Sequence, residues 1–186
     1  MHPLIKNISQ RTKVNDETIS LILSTFEVQQ CKKGEQLLRE GATCQKLYFL
    51  NQGIARSYYF YKDKDITSWF YNEGHWISSW FSFYAQQPSF EYIELLEDAE
   101  LFSVNYSSFQ KLLNNAQFNT FGRLLAEEQT AFIDYFSKGF SFMTAKEKYD
   151  LLLTLFPDVS QRVNLGHVAS FLGITQETLS RIRAKK

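Results

Sequence analysis

The stretch HVASFLGITQETLSRIRAKK, residues 167–186, decides the fold of the C-terminal part of the chain. Its apolar positions follow a helical period on both sides of Gly173, a residue that can adopt the positive φ of a tight turn. If Leu165 is the first of twenty positions, Ala169 is the fifth and Gly173 the ninth. Apolar side chains then fill the slots that a helix-turn-helix must bury, namely Val168, Leu172, Ile174, Leu179 and Ile182. The pattern predicts two short helices that cross at a steep angle.

The second predicted helix carries polar side chains suited to reading DNA. Thr175 fits its N-cap, and Glu177 lies in the first turn, where negative charge is favourable. Because Leu179 and Ile182 point inward, the polar residues near the N-terminal end face outward, where such helices meet base edges in the major groove. The predicted DNA-binding residues are Thr175, Gln176, Glu177, Thr178, Ser180 and Arg181, with Lys185 and Lys186 attracting phosphates. The alternative is a solvated helical hairpin with a basic tail.

Charge is unevenly distributed along the chain. The 186 residues include 20 basic and 20 acidic side chains. From Gln161 onward there are five basic residues and one acid, or +4, so the preceding part carries −4. A positive C-terminal part on an acidic body favours a polyanionic partner.

Composition limits the class of protein. Hydrophobic residues make up 44% and charged residues 22%, which is ordinary for a globular chain. The N-terminus does not have the pattern of a signal peptide, and no run of about 18 apolar residues could span a membrane. Two cysteines, Cys31 and Cys44, are too few for a disulfide scaffold. We therefore expect a cytoplasmic protein with no membrane partner.

No motif points to an enzyme, a cofactor or a metal. The sequence lacks a glycine-rich phosphate loop, an HExxH helix and a Gly-x-Ser-x-Gly elbow. An iron–sulfur cluster needs four thiolates, and two cysteines are available. His75 lies alone in an aromatic segment, and a structural role is the simpler interpretation than haem ligation. His167 lies in the first helix of the hairpin, where a surface or phosphate-contacting role is sufficient.

Short strands are predicted from Glu27 to about Tyr106. The runs QKLYFLN, IARSYYFY, DITSWFY, EYIELLE and ELFSV are rich in β-branched and aromatic residues. Turns are predicted at the glycines that separate some of these runs, Gly34, Gly41 and Gly53. Many short strands at this spacing indicate a compact β-barrel or β-sandwich.

Helical periodicity returns after Asn105, which fits the N-cap of a short helix. A longer helix is predicted from about Asn115 to Lys138. A third begins at Thr144 with a capping box and ends before Pro157.

The long helix has an apolar seam at alternating a and d positions, formed by Phe118, Phe121, Leu125, Phe132 and Tyr135. Such a seam favours pairing with the same helix of a second chain. A helix packed on a globular core explains the same periodicity. We predict that these five residues form a dimer interface.

Three segments resemble a known family. VNLGHVASFLGITQETLSRIR closely resembles the recognition segment of the CRP/FNR superfamily of bacterial regulators. KKGEQLLREGATCQKLYFLNQGIARSYY is similar to the start of that family's β-roll, and TAKEKYDLLLTLFP looks like the helix that leads into its DNA-binding domain. Together the resemblance covers nearly all of the chain.

The resemblance implies an α+β fold with a β-roll of the double-stranded β-helix or jelly-roll type. It implies an effector domain over residues 1–114, a dimerisation helix over 115–138 and a winged-helix-like helix-turn-helix domain over 139–186. Little sequence follows Ile182, so phosphate contacts from a wing are not expected. The implied function is transcriptional regulation by a homodimer on a near-palindromic operator in double-stranded DNA, with RNA polymerase as a protein partner. Gln176, Glu177 and Arg181 fall on the base-reading positions.

The chain departs from the pattern of the cyclic-nucleotide-binding members. Their Gly-Glu pair for the ribose is replaced by Ser78-Ser79, and their Arg-Ser pair for the cyclic phosphate by Ser89-Phe90. A buried phosphodiester needs a charged partner, yet residues 69–92 contain ten aromatics and no lysine or arginine. We expect a degenerate pocket that does not bind cyclic AMP and is filled by the protein's own side chains. The alternative is a sensor for a non-nucleotide small molecule. The residues assigned to the pocket are Trp69, Trp76, Ser79, Trp80, Ser89 and Phe90.

Overall fold

The computed structural model describes residues 1–184, whose strands form two four-stranded antiparallel sheets. The strands are β1 (Glu27–Cys31), β2 (Gln36–Leu38), β3 (Lys46–Gln52), β4 (Ala55–Tyr61), β5 (Lys64–Tyr71), β6 (Trp76–Ile77), β7 (Tyr92–Leu95) and β8 (Ala99–Asn105). The order is β1-β8-β3-β6 in one sheet and β2-β7-β4-β5 in the other. Apolar side chains from both sheets belong to one aromatic-rich core.

The helices lie before, within and after the sheets. They are α1 (Pro3–Ser9), α2 (Asp16–Thr25), α3 (Trp80–Ala85), α4 (Tyr106–Leu112), α5 (Ala116–Phe140), α6 (Ala145–Leu155), α7 (Val159–Arg162), α8 (Leu165–Leu172) and α9 (Gln176–Ala184). The predicted α+β fold, with a jelly-roll part, a long helix and a helical C-terminal part, is confirmed. Sequence analysis did not predict the short helices α1 and α3.

Local sequence signals account for the boundaries of several elements. Asn105 and Asn115 accept backbone N–H groups at the starts of α4 and α5, and Thr144 forms the expected capping box with Glu147 at α6. Gly53 has a φ of +111°, and an added Cβ would lie 2.9 Å from the Cβ of Ala99. This turn between β3 and β4 therefore requires glycine for both conformation and space.

The predicted dimer seam on α5 is mostly internal to the chain. Phe118, Phe121 and Leu125 are fully buried in the core beneath the sheets. Phe132 packs edge-on against Trp69, with 5.1 Å between ring centroids. Tyr135 is exposed. The assignment of Phe118, Phe121 and Leu125 to a dimer interface was wrong, because the β-roll of the same chain already covers that side of the helix.

The helix-turn-helix forms as its apolar pattern predicts. Gly173 separates α8 from α9 with a φ of +68°. The hydrophobic cluster of the C-terminal helices buries Val168, Leu172 and Leu179. Two further apolar residues pack against this cluster but remain partly exposed, Ile174 and Ile182.

The helix-turn-helix packs directly on the edge strand β5. The Ser170 hydroxyl accepts from the backbone N–H of Thr67 at 3.0 Å and donates to the carbonyl of Asp65 at 2.7 Å. An edge strand leaves such groups unpaired, so one serine takes the place of a neighbouring strand at this point. Phe171, on the same helix, contacts Phe70 with 5.4 Å between ring centroids.

Arg162 forms a second connection between the two parts of the chain. Its guanidinium donates to both carboxylate oxygens of Glu73 at 2.8 and 3.0 Å and to those of Glu97 at 2.6 to 3.2 Å. Sequence analysis counted Arg162 among the cations that give the C-terminal part its positive charge. Its charge is instead neutralised by two glutamates of the β-roll.

Arg162→Met should loosen the attachment of the C-terminal helices. We expect the free energy of unfolding to fall by about 1–2 kcal/mol, because charge-assisted hydrogen bonds are lost from a partly solvated site and two carboxylates are left facing each other. Urea denaturation measures the change, and Arg123→Met, at an exposed i,i+4 pair with Glu127, is the matched control with little effect.

The same connection should respond to acid. The hydrogen bonds from Arg162 hold the pKa of Glu73 below its ordinary value of 4.5. Glu73 therefore contributes stability that is present above that ordinary value and is lost as the pH falls through the folded-state pKa. If Arg162→Met shows the same acid dependence as the unaltered chain, the connection does not contribute to stability.

Candidate DNA-binding surface and effector cavity

The outward face of α9 carries the residues predicted to contact DNA. Gln176, Glu177, Ser180 and Arg181 are exposed, while Leu179 anchors the helix from below. The arrangement leaves one polar face of a short helix free to approach a groove. Lys185 and Lys186, the predicted phosphate contacts, lie outside the described residues.

Thr175 and Thr178 have a local structural role at the start of α9. Thr175 Oγ1 accepts the backbone N–H of Thr178 at 3.2 Å, as expected of an N-cap. The Thr178 hydroxyl lies 3.0 Å from the Thr175 hydroxyl and accepts a bond from Arg181 at 3.3 Å. To contact DNA as predicted, the Thr178 hydroxyl would have to break its hydrogen bonds with Thr175 and Arg181.

The roles of two basic residues differ from those expected from the sequence. Arg183 is exposed on α9 but was not assigned to the site, although its place directly after Ile182 could have indicated it. His167 is half-buried, and burial, together with the nearby Arg56, lowers its pKa below 6.5. A neutral imidazole at neutral pH gives no electrostatic attraction to a phosphate.

A cavity of about 360 Å³ lies between the β-roll and α5. Trp69, Trp76, Trp80 and Phe90 line it, as the effector-pocket prediction proposed. Ser79 and Ser89 were assigned to the same site, but both are buried behind its wall. The expectation that the protein's own side chains fill the pocket was wrong, because a cavity large enough for a small molecule remains.

A carboxyl group lies in the wall of this aromatic cavity. Burial raises the pKa of this group, Glu91, above 4.5, although the neighbouring hydroxyls of Ser79 and Ser57 act to lower it. Tyr71 also lines the cavity, with its hydroxyl 3.0 Å from that of Ser57. Glu91 was not among the residues predicted from the sequence, although an acid between Phe90 and Tyr92 in an aromatic run was the available signal.

His75 lines the cavity in a turn. Its Nδ1 lies 3.1 Å from the carbonyl of Asn72, and burial lowers its pKa below 6.5. The imidazole is therefore neutral at neutral pH, consistent with the structural role expected from the sequence.

Trp69 connects the cavity with the C-terminal helices. Its indole contacts Phe132 and Phe136 of α5, Phe156 after α6 and Phe171 of α8, with ring centroids 5.0 to 5.9 Å apart. One side chain of the cavity wall thus touches the helix-turn-helix directly.

Two further features were sought in the described part of the chain, a metal-binding cluster and a membrane-spanning helix. No group of three or more His, Cys, Asp or Glu side chains within residues 1–184 is placed to hold a metal ion. None of the helices in the same range is both long enough and apolar enough to cross a membrane.

Known proteins share this architecture. The cyclic nucleotide-binding domain family matches residues 28–116. FixK2 from Bradyrhizobium japonicum is similar over 86% of this chain and 83% of its own, with 19% identity and a TM-score of 0.66. The c-di-GMP responsive global regulator CLP from Xanthomonas campestris is similar over 92% and 91%, with 16% identity and a TM-score of 0.64.

A putative transcriptional regulator of the CRP/FNR family from Eubacterium rectale is similar over 91% of this chain and 82% of its own, with 17% identity and a TM-score of 0.66. A search among curated protein sequences finds no match. Residues 28–116 thus match the cyclic nucleotide-binding domain family, and the chain has the fold seen in the CRP/FNR regulators to which it is similar, as the resemblance of its sequence implied.

Proposed function

We propose that the protein is a homodimeric, sequence-specific DNA-binding transcriptional regulator that acts in the cytoplasm with RNA polymerase as a partner. The observation that carries this proposal is the outward face of α9, where polar and cationic side chains are exposed on a helix anchored by buried Leu179. Selection of duplexes from a random pool by the purified protein tests it. The selected sites should be near-palindromes with half-sites about one turn, ~34 Å, apart. A pool with no enriched sequence would contradict the proposal.

The side of α5 next to α3 is the better candidate for the dimer interface. Ala126, Thr130 and Ile133 form a groove there with Trp80 and Tyr84. Ile133 is 51% exposed and Tyr84 is 43% exposed, so two adjoining apolar side chains of this groove remain available to a partner.

The outermost side of α5 is less suited to pairing. It carries two i,i+4 ion pairs, Arg123 with Glu127 and Asp134 with Lys138. Since charged residues are depleted in the centres of interfaces, the groove beside Ile133 is favoured over this charged side.

Ile133→Glu should convert the dimer into a monomer, because it places an unpaired charge in the centre of the proposed interface. Light scattering at micromolar concentration measures the mass. Tyr135→Glu is the control, since Tyr135 is also exposed but lies about 200° further around the helix. If the dimer survives Ile133→Glu but is lost with Tyr135→Glu, the interface lies on the Tyr135 side of α5 and the proposed groove is not the interface.

Arg181 is proposed to read a base. Its guanidinium is exposed and is held by one weak hydrogen bond to Thr178, so it is free to pair with the O6 and N7 atoms of guanine. Such pairs typically discriminate by ~1–3 kcal/mol. Arg181→Ala should therefore weaken operator binding about ten- to a hundred-fold and relax the preference at one base per half-site.

Two other basic residues provide controls for Arg181. Arg183→Ala and Lys186→Ala should weaken binding to operator and scrambled DNA alike and reduce the salt dependence, as expected of phosphate contacts. Titrations of both duplexes at two salt concentrations make the comparison. Equal losses on both duplexes for Arg181→Ala would show that this residue also contacts phosphate.

Cyclic AMP and cyclic GMP should not bind with useful affinity. The described residues that line the cavity include no lysine or arginine, and Glu91 would repel a phosphodiester. Calorimetric titration should show no binding heat at micromolar nucleotide. Micromolar binding would contradict this interpretation of Ser89-Phe90.

A second candidate function is a regulator gated by a non-nucleotide small molecule. The cavity favours it, because a ligand touching Trp69 would contact the same ring that holds Phe171 of the helix-turn-helix. Thermal stabilisation of the purified protein in a ligand screen tests this candidate.

A further inference from the structure

The cavity between the β-roll and α5 is lined mainly by aromatic residues. Three tryptophans, Trp69, Trp76 and Trp80, meet Phe90 from the β-roll and Phe132 and Phe136 from α5. Its volume of about 360 Å³ falls within the usual range of small-molecule sites, roughly 300–1,000 Å³. Aromatic faces attract cations through the ring quadrupole, and tryptophan does so most strongly.

The formal charge available inside this cavity is negative. Among the described residues of its lining, Glu91 is the one carboxyl group, and neither lysine nor arginine is present. His75 is neutral at neutral pH because burial lowers its pKa. The side chains that α5 contributes, such as Gln129 and Ser137, are uncharged. Such a site disfavours anions and favours a positive charge.

The lining also includes Ser68, whose buried hydroxyl forms no hydrogen bond with any described residue. Buried polar groups are normally paired, so this hydroxyl is an exception among the polar groups around the cavity.

We infer that the cavity binds an organic cation, an amine or quaternary ammonium group carried on an apolar body. The ammonium group pairs with the Glu91 carboxylate and the tryptophan faces, and the apolar body fills the space against Phe132 and Phe136. This goes beyond the proposed regulatory function, since binding does not require DNA; an effect of binding on DNA affinity does rest on that function.

Binding of a cation should be linked to proton release. Burial raises the pKa of Glu91, and the other titratable groups facing it across the cavity, Tyr71 and His75, are uncharged at neutral pH. A bound cation favours the ionised carboxylate, so its affinity should rise as the pH increases through the pKa of Glu91 in the free protein. An uncharged ligand of the same shape should show much less dependence.

The test compares three small probes of matched size on the full chain: phenethylamine, phenethyl alcohol and phenylacetate. Quenching of tryptophan fluorescence and titration calorimetry measure binding from about pH 4.5, the ordinary pKa of a glutamate, to pH 8, a range in which the amine stays charged. We expect the amine to bind at least tenfold more tightly than the alcohol, with no binding of phenylacetate. Benzyltrimethylammonium should bind like the amine, since a cation and not a donated hydrogen bond is recognised.

Glu91→Gln should weaken amine binding at least tenfold and remove its pH dependence. Glu127→Gln, an exposed carboxyl group of α5 outside the cavity, is the matched control and should change neither. Circular dichroism checks that both variants fold, and if Glu91→Gln does not, the comparison of amine with alcohol across pH decides alone. Equal affinities for amine and alcohol, preference for phenylacetate, or no binding of either cation at millimolar concentration would overturn the inference.

The proposed regulatory function has a separate readout. The same titrations in the presence of the selected operator duplex report any change in DNA affinity. A cation that binds without affecting DNA affinity supports the site and contradicts gating. Specific DNA binding without cation binding supports the regulatory function and contradicts the site.

Discussion

The packing of one indole ring determines how the parts of this chain are arranged. Trp69 lies on β5, and its ring contacts aromatic side chains from α5, from the residue after α6 and from α8. Ser170 fixes α8 on the backbone of the same edge strand, and Arg162 fixes α7 on Glu73 and Glu97. Because each of these contacts joins the β-roll to the C-terminal helices, the position of the helix-turn-helix depends on the state of the β-roll.

Local signals were sufficient to predict the helix-turn-helix and much of the β-roll. Gly173, the Thr175 N-cap and the apolar spacing from Val168 to Ile182 each act within a few residues, so the sequence pattern carries them directly. The partner of the α5 seam could not be predicted in the same way. Periodicity shows that Phe118 and Phe121 need an apolar surface, but it does not distinguish the chain's own β-roll from a second chain.

The sequence predicted several of the residues that line the cavity, but not its open volume or its charge. Its aromatic lining follows from the composition of residues 69–92, whereas its volume depends on how far α5 stands from the β-roll. The partners of the charged residues could not be predicted from the sequence either. Arg162 looked like part of a basic tail until Glu73 and Glu97 were found beside it, and Glu91 looked like an ordinary strand residue until its burial among rings was known.

Because Trp69 belongs both to the cavity lining and to the contact with α8, it limits how a bound ligand could affect the helix-turn-helix. A ligand shifts a conformational equilibrium only as far as its affinities for the two states differ. The cavity is lined where Phe132 and Phe136 pack against Trp69, so a molecule held there stabilises the arrangement in which Phe171 and α8 are docked on the same ring. If that docked arrangement gives the two recognition helices of a dimer the spacing of one DNA turn, the ligand strengthens DNA binding. If it does not, the same contacts weaken binding, because the energy that holds α8 on β5 must then be overcome before both helices reach the groove.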